Sequence, residues 1–259
     1  MTVKTKTIGF GKLLTQPAGN AKLIKSLARG YYNVGLSLAP AKSSGYNVCQ
    51  YSGTCAEPCV AHTGRAEFFS SIAAARIART KLFFKDRSQF LAMFRKELAA
   101  ADRKSKRLGL KLAIRPNVFS DLPWHLIAPE LFQEFPNAYW YGYTKSRSVA
   151  VDFAAGKLPS NYHITFSWSE RIDVKTARDI VNSGCNVAVP FYHAVDKRGC
   201  LPTSGQWQGM PVLDGDKTDL RFLDKLGHIV GLRVKLPKNR SKALKTIEAS
   251  KGFFVPVLD

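Results

Sequence analysis

The 259-residue chain is 45% hydrophobic and carries 39 lysine and arginine residues against 19 aspartate and glutamate residues, a net charge of +20. A chain of this length can bury a full core, and its apolar stretches are too short for a membrane span, which predicts a soluble protein without a signal peptide. With this excess of positive charge the surface cannot be electrostatically balanced, and it should attract polyanions, of which nucleic acid is the first candidate. A basic surface can also serve solubility alone.

A cysteine-rich loop follows the first predicted strand, residues 32–38. Cys49, Cys55 and Cys59 lie in this loop, residues 47–65, with the spacing C-x5-C-x3-C. The chain has five cysteines, an odd and unevenly spaced set, so disulfides are not expected and the cytoplasm is the predicted compartment. Clustered cysteines in that compartment more often bind metal or react.

The cysteine spacing leaves three interpretations open. Three thiolates can hold a 4Fe-4S iron–sulfur cluster with one iron free, and such an iron can bind S-adenosylmethionine. With His62 as a fourth ligand, the same thiolates can close a tetrahedral zinc site. The third interpretation is three buried cysteines without a metal.

Two helices are predicted after the loop. The first covers residues 66–84, and the second begins near Asp86 or Ser88 and ends at Gly109, a typical C-terminal breaker. The polar side of the second helix carries many cations and few acids. We expect this surface to bind nucleic acid through Arg95, Lys96, Arg103, Lys104, Lys106 and Arg107.

Strand-like runs then alternate with helical segments and loops. With the first strand they give about six strands, at residues 32–38, 110–115, 138–143, 162–166, 186–191 and 229–234. This order predicts an α/β single domain, a partial (β/α)6 TIM-barrel-like fold with the cysteine loop after the first strand; an open doubly wound sheet fits the same pattern. The predicted parts are an N-terminal arm (1–30), the barrel domain (31–235) and a basic C-terminal segment (236–259) packing on it.

Polar side chains recur where these strands end. Because the carboxyl ends of parallel strands meet at one edge, a single mouth can collect them. The side chains expected to line that mouth, and to act in catalysis, are Arg115, Asn117, Asp121, Lys145, Ser167 and His193. The alternative for the end of the second strand is structural, with Ser120 or Asp121 as a helix cap and Arg115 in an ion pair.

An acidic loop at residues 211–224 has a similar ambiguity. Its four acids can bind a hard cation, but the spacing is not that of a calcium-binding hand. The equally favoured interpretation is a turn in which Asp219 pairs with Arg221 or another arginine.

Several of these motifs, taken together in order, resemble the bacteriophage gene product 88 family. The resemblance extends from about residue 32 to the C-terminus and rests on residues 47–65, 115–124, 143–145, 162–167, 214–216 and 219–224. It implies a phage or prophage protein, in the cytoplasm of a host bacterial cell, and no particular activity.

The order of cysteine loop and polar strand ends more distantly resembles radical S-adenosylmethionine enzymes. That resemblance implies a 4Fe-4S cluster on Cys49, Cys55 and Cys59, with S-adenosylmethionine as a possible second cofactor. The spacing departs from the superfamily's usual C-x3-C-x2-C, and no glycine-rich methionine-binding run follows the second strand. These departures weaken the prediction of S-adenosylmethionine binding more than the prediction of a bound cluster.

The leading hypothesis is therefore an iron–sulfur, radical-enzyme-like protein that acts on or beside nucleic acid. A zinc-stabilised nucleic-acid-binding protein without catalysis is the alternative. A phage protein that binds a host factor is the third, and nothing in the sequence identifies that partner or the oligomeric state.

Overall fold

The computed structural model describes residues 11–19, 21–59, 70–237 and 239–258, and it contains a mixed α/β fold built on a single ten-stranded sheet. The strands are β1 (Leu14–Thr15), β2 (Tyr31–Leu36), β3 (Lys111–Arg115), β4 (Tyr139–Thr144), β5 (Tyr162–Ser167), β6 (Asn186–His193), β7 (Gln206–Trp207), β8 (Met210–Asp214), β9 (Ile229–Arg233) and β10 (Val255–Val257). The sheet order is β1-β2-β3-β4-β5-β6-β9-β8-β7, and β10 also pairs with β6.

The six predicted strands correspond to β2, β3, β4, β5, β6 and β9. They lie side by side in chain order, and each pair of neighbours is parallel. A doubly wound sheet reverses its strand order, and these six strands show no such reversal. Among the described residues, no strand pairing joins the β1 end of the sheet to the β7 end.

The helices of the described chain are α1 (Ala21–Ile24), α2 (Ser70–Lys85), α3 (Arg87–Arg107), α4 (Trp124–Ile127), α5 (Glu130–Glu134), α6 (Arg147–Ala154), α7 (Val174–Asn182) and α8 (Arg240–Ser250). The second predicted helix is confirmed as α3. Asp86 caps it by accepting a hydrogen bond from the Gln89 amide at 2.9 Å, and Gly109 follows its end with φ of +66°. The first is present as α2, while residues 66–69 lie outside the described residues.

One face of the sheet packs against helices. Val34, Ile114 and Trp140 are register partners across β2, β3 and β4, and all three are buried with the apolar side chains of α3, which recur at helical spacing. Val187 and Ile229 continue the same face and pack with α7. Helices that share one face are typical of consecutive right-handed crossovers in a singly wound sheet.

The opposite, inner face of the sheet is covered by the chain itself. A segment that includes a short 3-10 helix (Arg221–Leu223) packs against Tyr31, Ala113 and Tyr141 through Leu220 and Phe222. Asp219, in the same segment, reaches Arg115 on β3, with 2.6 Å between Oδ2 and Nη1. The expectation that Asp219 pairs with an arginine is confirmed, whereas residues 211–214 belong to β8 and Asp214 and Asp216 pair with the exposed Arg233.

The two ends of the chain join the same sheet. Strand β1 pairs antiparallel with β2, and the amides of Leu13 and Leu14 each donate to the Glu97 carboxylate at 2.8 Å. At the other end, β10 pairs parallel with β6. Across the described ranges, no helix combines the length and the apolar character needed to cross a membrane.

Candidate functional site

The cysteine loop lies at the carboxyl edge of the parallel strands, directly after β2. The Asp121 amide donates to the Val48 carbonyl at 2.8 Å, and the Cys49 thiol donates to the Phe119 carbonyl at 3.3 Å. The Thr54 amide and hydroxyl contact Glu170 and the Ser250 carbonyl, at 3.1 and 2.7 Å. The loop is thereby fixed to the segments that follow β3 and β5 and to the end of α8.

The three cysteines of the loop are half-buried and influence one another. Burial raises the pKa of Cys49 to about 11, and negative charge on Cys59, Asp121 and Cys55 acts in the same direction. The pKa of Cys55 is also raised by burial, against the charge of Lys145. Without a bound metal the thiols of Cys49 and Cys55 are therefore protonated at neutral pH.

The described side chains do not form a set of metal ligands. In the part of the chain that the structure describes, no group of three or more His, Cys, Asp or Glu side chains is arranged to hold a metal ion. His62, the predicted fourth zinc ligand, lies outside the described residues. The structure therefore places the three cysteines in one loop and does not show a formed metal centre.

Lys145 lies next to the cysteine loop, just after β4. Its Nζ donates to Ser167 Oγ at 2.7 Å and to the Trp168 carbonyl at 3.0 Å, and it lies 4.5 Å from the ring centroid of Phe253. Burial lowers the pKa of Lys145, although negative charge at Cys55, Asp121 and Glu170 opposes the shift. Within the described chain Lys145 forms no ion pair, so its charge is held by neutral groups.

Two carboxylates surround this lysine. Asp121 Oδ2 accepts a hydrogen bond from the Lys145 amide at 2.8 Å, and burial raises the pKa of Asp121. Burial acts to raise the pKa of Glu170 as well, but the hydrogen bond from the Thr54 amide lowers it overall. A pocket of about 160 Å³ opens beside Asp121, with Gln50 of the loop in its wall.

The structure thus brings Asp121, Lys145 and Ser167 together with the cysteine loop. Arg115 lies below them on the inner face, paired with Asp219, as the structural alternative proposed. Asn117 uses its amide within its own turn: Oδ1 accepts from Ser120 and Trp124, and Nδ2 donates to Leu122.

His193, the remaining predicted mouth residue, has local contacts. Its Nδ1 lies 3.2 Å from the Asp196 carboxylate and accepts a hydrogen bond from the Asp196 amide, in the turn after β6. The polar contacts described for Arg115, Asn117 and His193 are thus with residues outside the cysteine loop.

The predicted basic surface on α3 is present in part. Arg95 is neutralised by Glu134 at 2.7 Å and Glu130 at 3.2 Å, and Lys106 pairs with Asp102 at 2.7 Å. Lys104 lies over the Tyr32 ring, 5.4 Å from its centroid. Three exposed cations without an ion pair among the described residues make up the α3 basic stripe: Lys96, Arg103 and Arg107.

Sequence reasoning did not single out Glu170 and Arg76 as site residues. Glu170 lies against Gly53 of the cysteine loop, and Arg76 of α2 interacts with Cys59 and stacks on Phe119, 4.3 Å from the ring centroid. Glu170 closely follows the predicted strand end at Ser167, which is a usable signal. Arg76 was visible only as one basic residue on a helix.

Comparisons with known proteins identify the family. A sequence profile described as gene product 88 matches residues 12–249. No curated protein and no solved structure matches the chain. The chain belongs to the gene product 88 family, a bacteriophage protein family, and the matched region contains the cysteine loop and every described strand except β10.

Proposed function

We propose that this member of the gene product 88 family is an iron–sulfur protein whose cysteine loop binds a cluster at the carboxyl edge of the sheet. Lys145 then binds an anionic group of a substrate or cofactor beside that cluster. The observation that carries the proposal is a largely buried lysine next to three clustered thiols, whose ammonium bonds to a hydroxyl and a carbonyl and forms no ion pair within the described chain.

The fold supports this position for a site. Strands β2, β3, β4, β5, β6 and β9 are parallel and in chain order, so the loops after them emerge at one edge. In (β/α) barrels this carboxyl edge is where active sites form. The cysteine loop follows the first of these strands, the position expected in a radical S-adenosylmethionine enzyme.

The donor set fits an iron–sulfur cluster in its chemistry. Three thiols occur within one loop, and a cluster with an open iron requires no fourth protein ligand. The thiols of Cys49 and Cys55 have pKa values raised by burial, and binding of a metal would displace their protons. Cys49, Cys55 and Cys59 would hold the cluster. A bound cluster with one open iron supplies the electron and binding position for radical chemistry on S-adenosylmethionine.

Lys145 supplies the binding group of the site. A lysine ammonium has three N–H donors, and two of those on Nζ are used by Ser167 Oγ and the Trp168 carbonyl. The remaining donor can bind a carboxylate or phosphate oxygen. Asp121 holds the backbone of Lys145, and the Phe253 ring covers its ammonium.

The cluster is tested by protein purified without oxygen and reconstituted with iron and sulfide. We expect iron and acid-labile sulfide to be bound, with a broad visible absorption. Replacing Cys49, Cys55 or Cys59 by serine should abolish both, whereas the matched controls Cys185→Ser and Cys200→Ser should retain them.

His62→Ala separates the cluster from the zinc alternative. The variant should retain iron, because an open cluster needs only the three thiolates. Colourless protein that contains zinc and no iron, and loses the zinc in His62→Ala, would overturn the proposal in favour of a structural zinc site.

Nucleic acid is the partner that we propose for the basic surface. The α3 basic stripe, Lys96, Arg103 and Arg107, rises about 16 Å along the helix at 1.5 Å per residue. Arg103→Gln should weaken binding of an oligonucleotide and reduce its salt dependence, measured by fluorescence anisotropy over a salt series. Arg95→Gln is the matched control, because Glu130 and Glu134 already neutralise Arg95. Equal effects of the two variants would contradict the assignment.

A further inference from the structure

A second pocket, of about 640 Å³, opens at the amino ends of β3, β4 and β5, opposite the cysteine loop. Lys111 begins β3, Tyr139 begins β4, and His163 is the second residue of β5; all three line the pocket, with Phe222 from the segment across the inner face. Its size falls within the range of small-molecule sites. We refer to it as the amino-edge pocket.

Two polar ring atoms at this pocket lack a partner. His163 Nε2 and Trp140 Nε1 are buried, and neither has a hydrogen bond among the described residues. A buried polar group without a partner costs about 1–3 kcal/mol. Burial lowers the pKa of His163 to about 4, so its imidazole is neutral and its Nε2 can donate or accept according to tautomer. A ligand with a hydrogen-bonding ring edge would give His163 Nε2 a partner, whereas the Trp140 side chain lies on the helix-packed face of the sheet.

The remaining lining adds aromatic surface and one cation. The rings of Tyr139 and Phe222 are stacked with 4.8 Å between centroids. The exposed Lys111 places its Nζ 5.8 Å from the Tyr139 centroid and 6.0 Å from that of Tyr31. Aromatic faces favour planar heterocycles, and a lysine beside them favours a ligand that also carries negative charge.

We propose that the amino-edge pocket binds a nucleoside 5′-phosphate, with its base among Tyr139, His163 and Phe222 and its phosphate at Lys111. The ligand is either a free nucleotide or the 5′-phosphorylated end of a single strand, which share this chemistry. The amino-edge pocket contains no residue of the cysteine loop, so this proposal can be tested separately from the iron–sulfur proposal.

The test is calorimetric titration of the full chain with AMP, GMP, CMP and UMP, and with a short 5′-phosphorylated oligonucleotide. Binding of a mononucleotide indicates the free ligand. If no mononucleotide binds, tighter binding of the 5′-phosphorylated oligonucleotide than of the same strand without its 5′-phosphate indicates a strand end, because the α3 basic stripe does not distinguish the two strands. Lys111→Gln should weaken the binding about tenfold or more, because one charge-assisted contact is lost. Lys175→Gln, an exposed lysine on α7 outside both proposed sites, should leave it unchanged.

His163→Phe provides a second variant with the aromatic lining retained. It should weaken binding of the nucleotide and leave binding of inorganic phosphate unchanged, since it removes only the contact to the base. The proposal is overturned if neither nucleotides nor the oligonucleotide bind at millimolar concentration, or if Lys111→Gln binds as tightly as the unaltered chain.

Discussion

Arg115 and Lys145 are two buried cations on neighbouring strands of one sheet, and their surroundings differ. Arg115 has a carboxylate at 2.6 Å, Asp219, which raises its pKa although burial acts to lower it. Lys145 is held by a hydroxyl and a carbonyl, and its pKa is lowered by burial. The Arg115 ion pair links the strands to the segment on the inner face. The charge of Lys145, which only neutral groups contact directly, is available to a ligand.

The largest expected effect is that of Arg115→Met. The substitution leaves Asp219 buried without its cation, so we expect the free energy of unfolding to fall by about 3–5 kcal/mol, measured by urea denaturation. The double variant Arg115→Met, Asp219→Leu should recover much of this loss. If the double variant is no more stable than Arg115→Met, the loss does not come from leaving Asp219 without its cation, and the assignment is contradicted.

His163 extends the comparison to a buried group that is uncharged in the fold. Its pKa is about 4 instead of the usual 6.5, so the unfolded chain binds more protons between these values and stability falls as pH drops through that window. The loss attributable to His163 should reach about 3 kcal/mol near pH 4. His163→Phe and His163→Gln should both flatten this dependence in urea titrations at pH 4 and 6.5. Retention of the full dependence in both variants would contradict the assignment.

Gly53→Ala tests how rigidly the carboxyl edge is held. Gly53 has φ of +53°, and a Cβ there would collide with the Glu170 carboxylate. We expect a loss of about 1–2 kcal/mol from strained backbone and the displaced glutamate. Ser52→Ala, one residue earlier, is the control and should change stability by less. Equal stability of the two variants would show that the loop and Glu170 adjust to the added methyl group without a measurable loss of stability.

Lys145→Met should have the smallest effect on stability, about 1 kcal/mol or less. The variant loses hydrogen bonds to Ser167 and Trp168 but also removes the desolvation of a buried ammonium. Urea denaturation beside Arg115→Met makes the contrast direct. A loss as large as that of Arg115→Met would show that Lys145, too, serves the fold.

Much of the architecture was predictable because its signals are local. Short strand-like runs followed by polar or Gly/Pro-bearing connections marked all six central strands, and Asp86 and Gly109 marked the ends of α3. The short strands β1, β7, β8 and β10 were not predicted, since two to five residues carry little periodicity and their pairing depends on distant partners.

The candidate site was predictable only where side chains follow strand ends directly. Lys145 and Ser167 stand at the ends of β4 and β5, and they meet Asp121, six residues beyond β3, at the carboxyl edge. Arg115 has the same sequence position, but its partner Asp219 is 104 residues away, and the proximity of the two is a property of the folded sheet.

The sequence by itself determined the six central strands, the long helix α3, the cysteine loop after the first central strand, and the excess of positive charge, because each depends on residue type and short-range spacing. Only the tertiary structure decided which charges are compensated. It paired Arg115 with Asp219 and Arg95 with Glu134, and it left Lys145 beside the cysteines without a carboxylate partner in the described chain. Ion pairing depends on distances between side chains far apart in sequence, which the folded chain alone fixes.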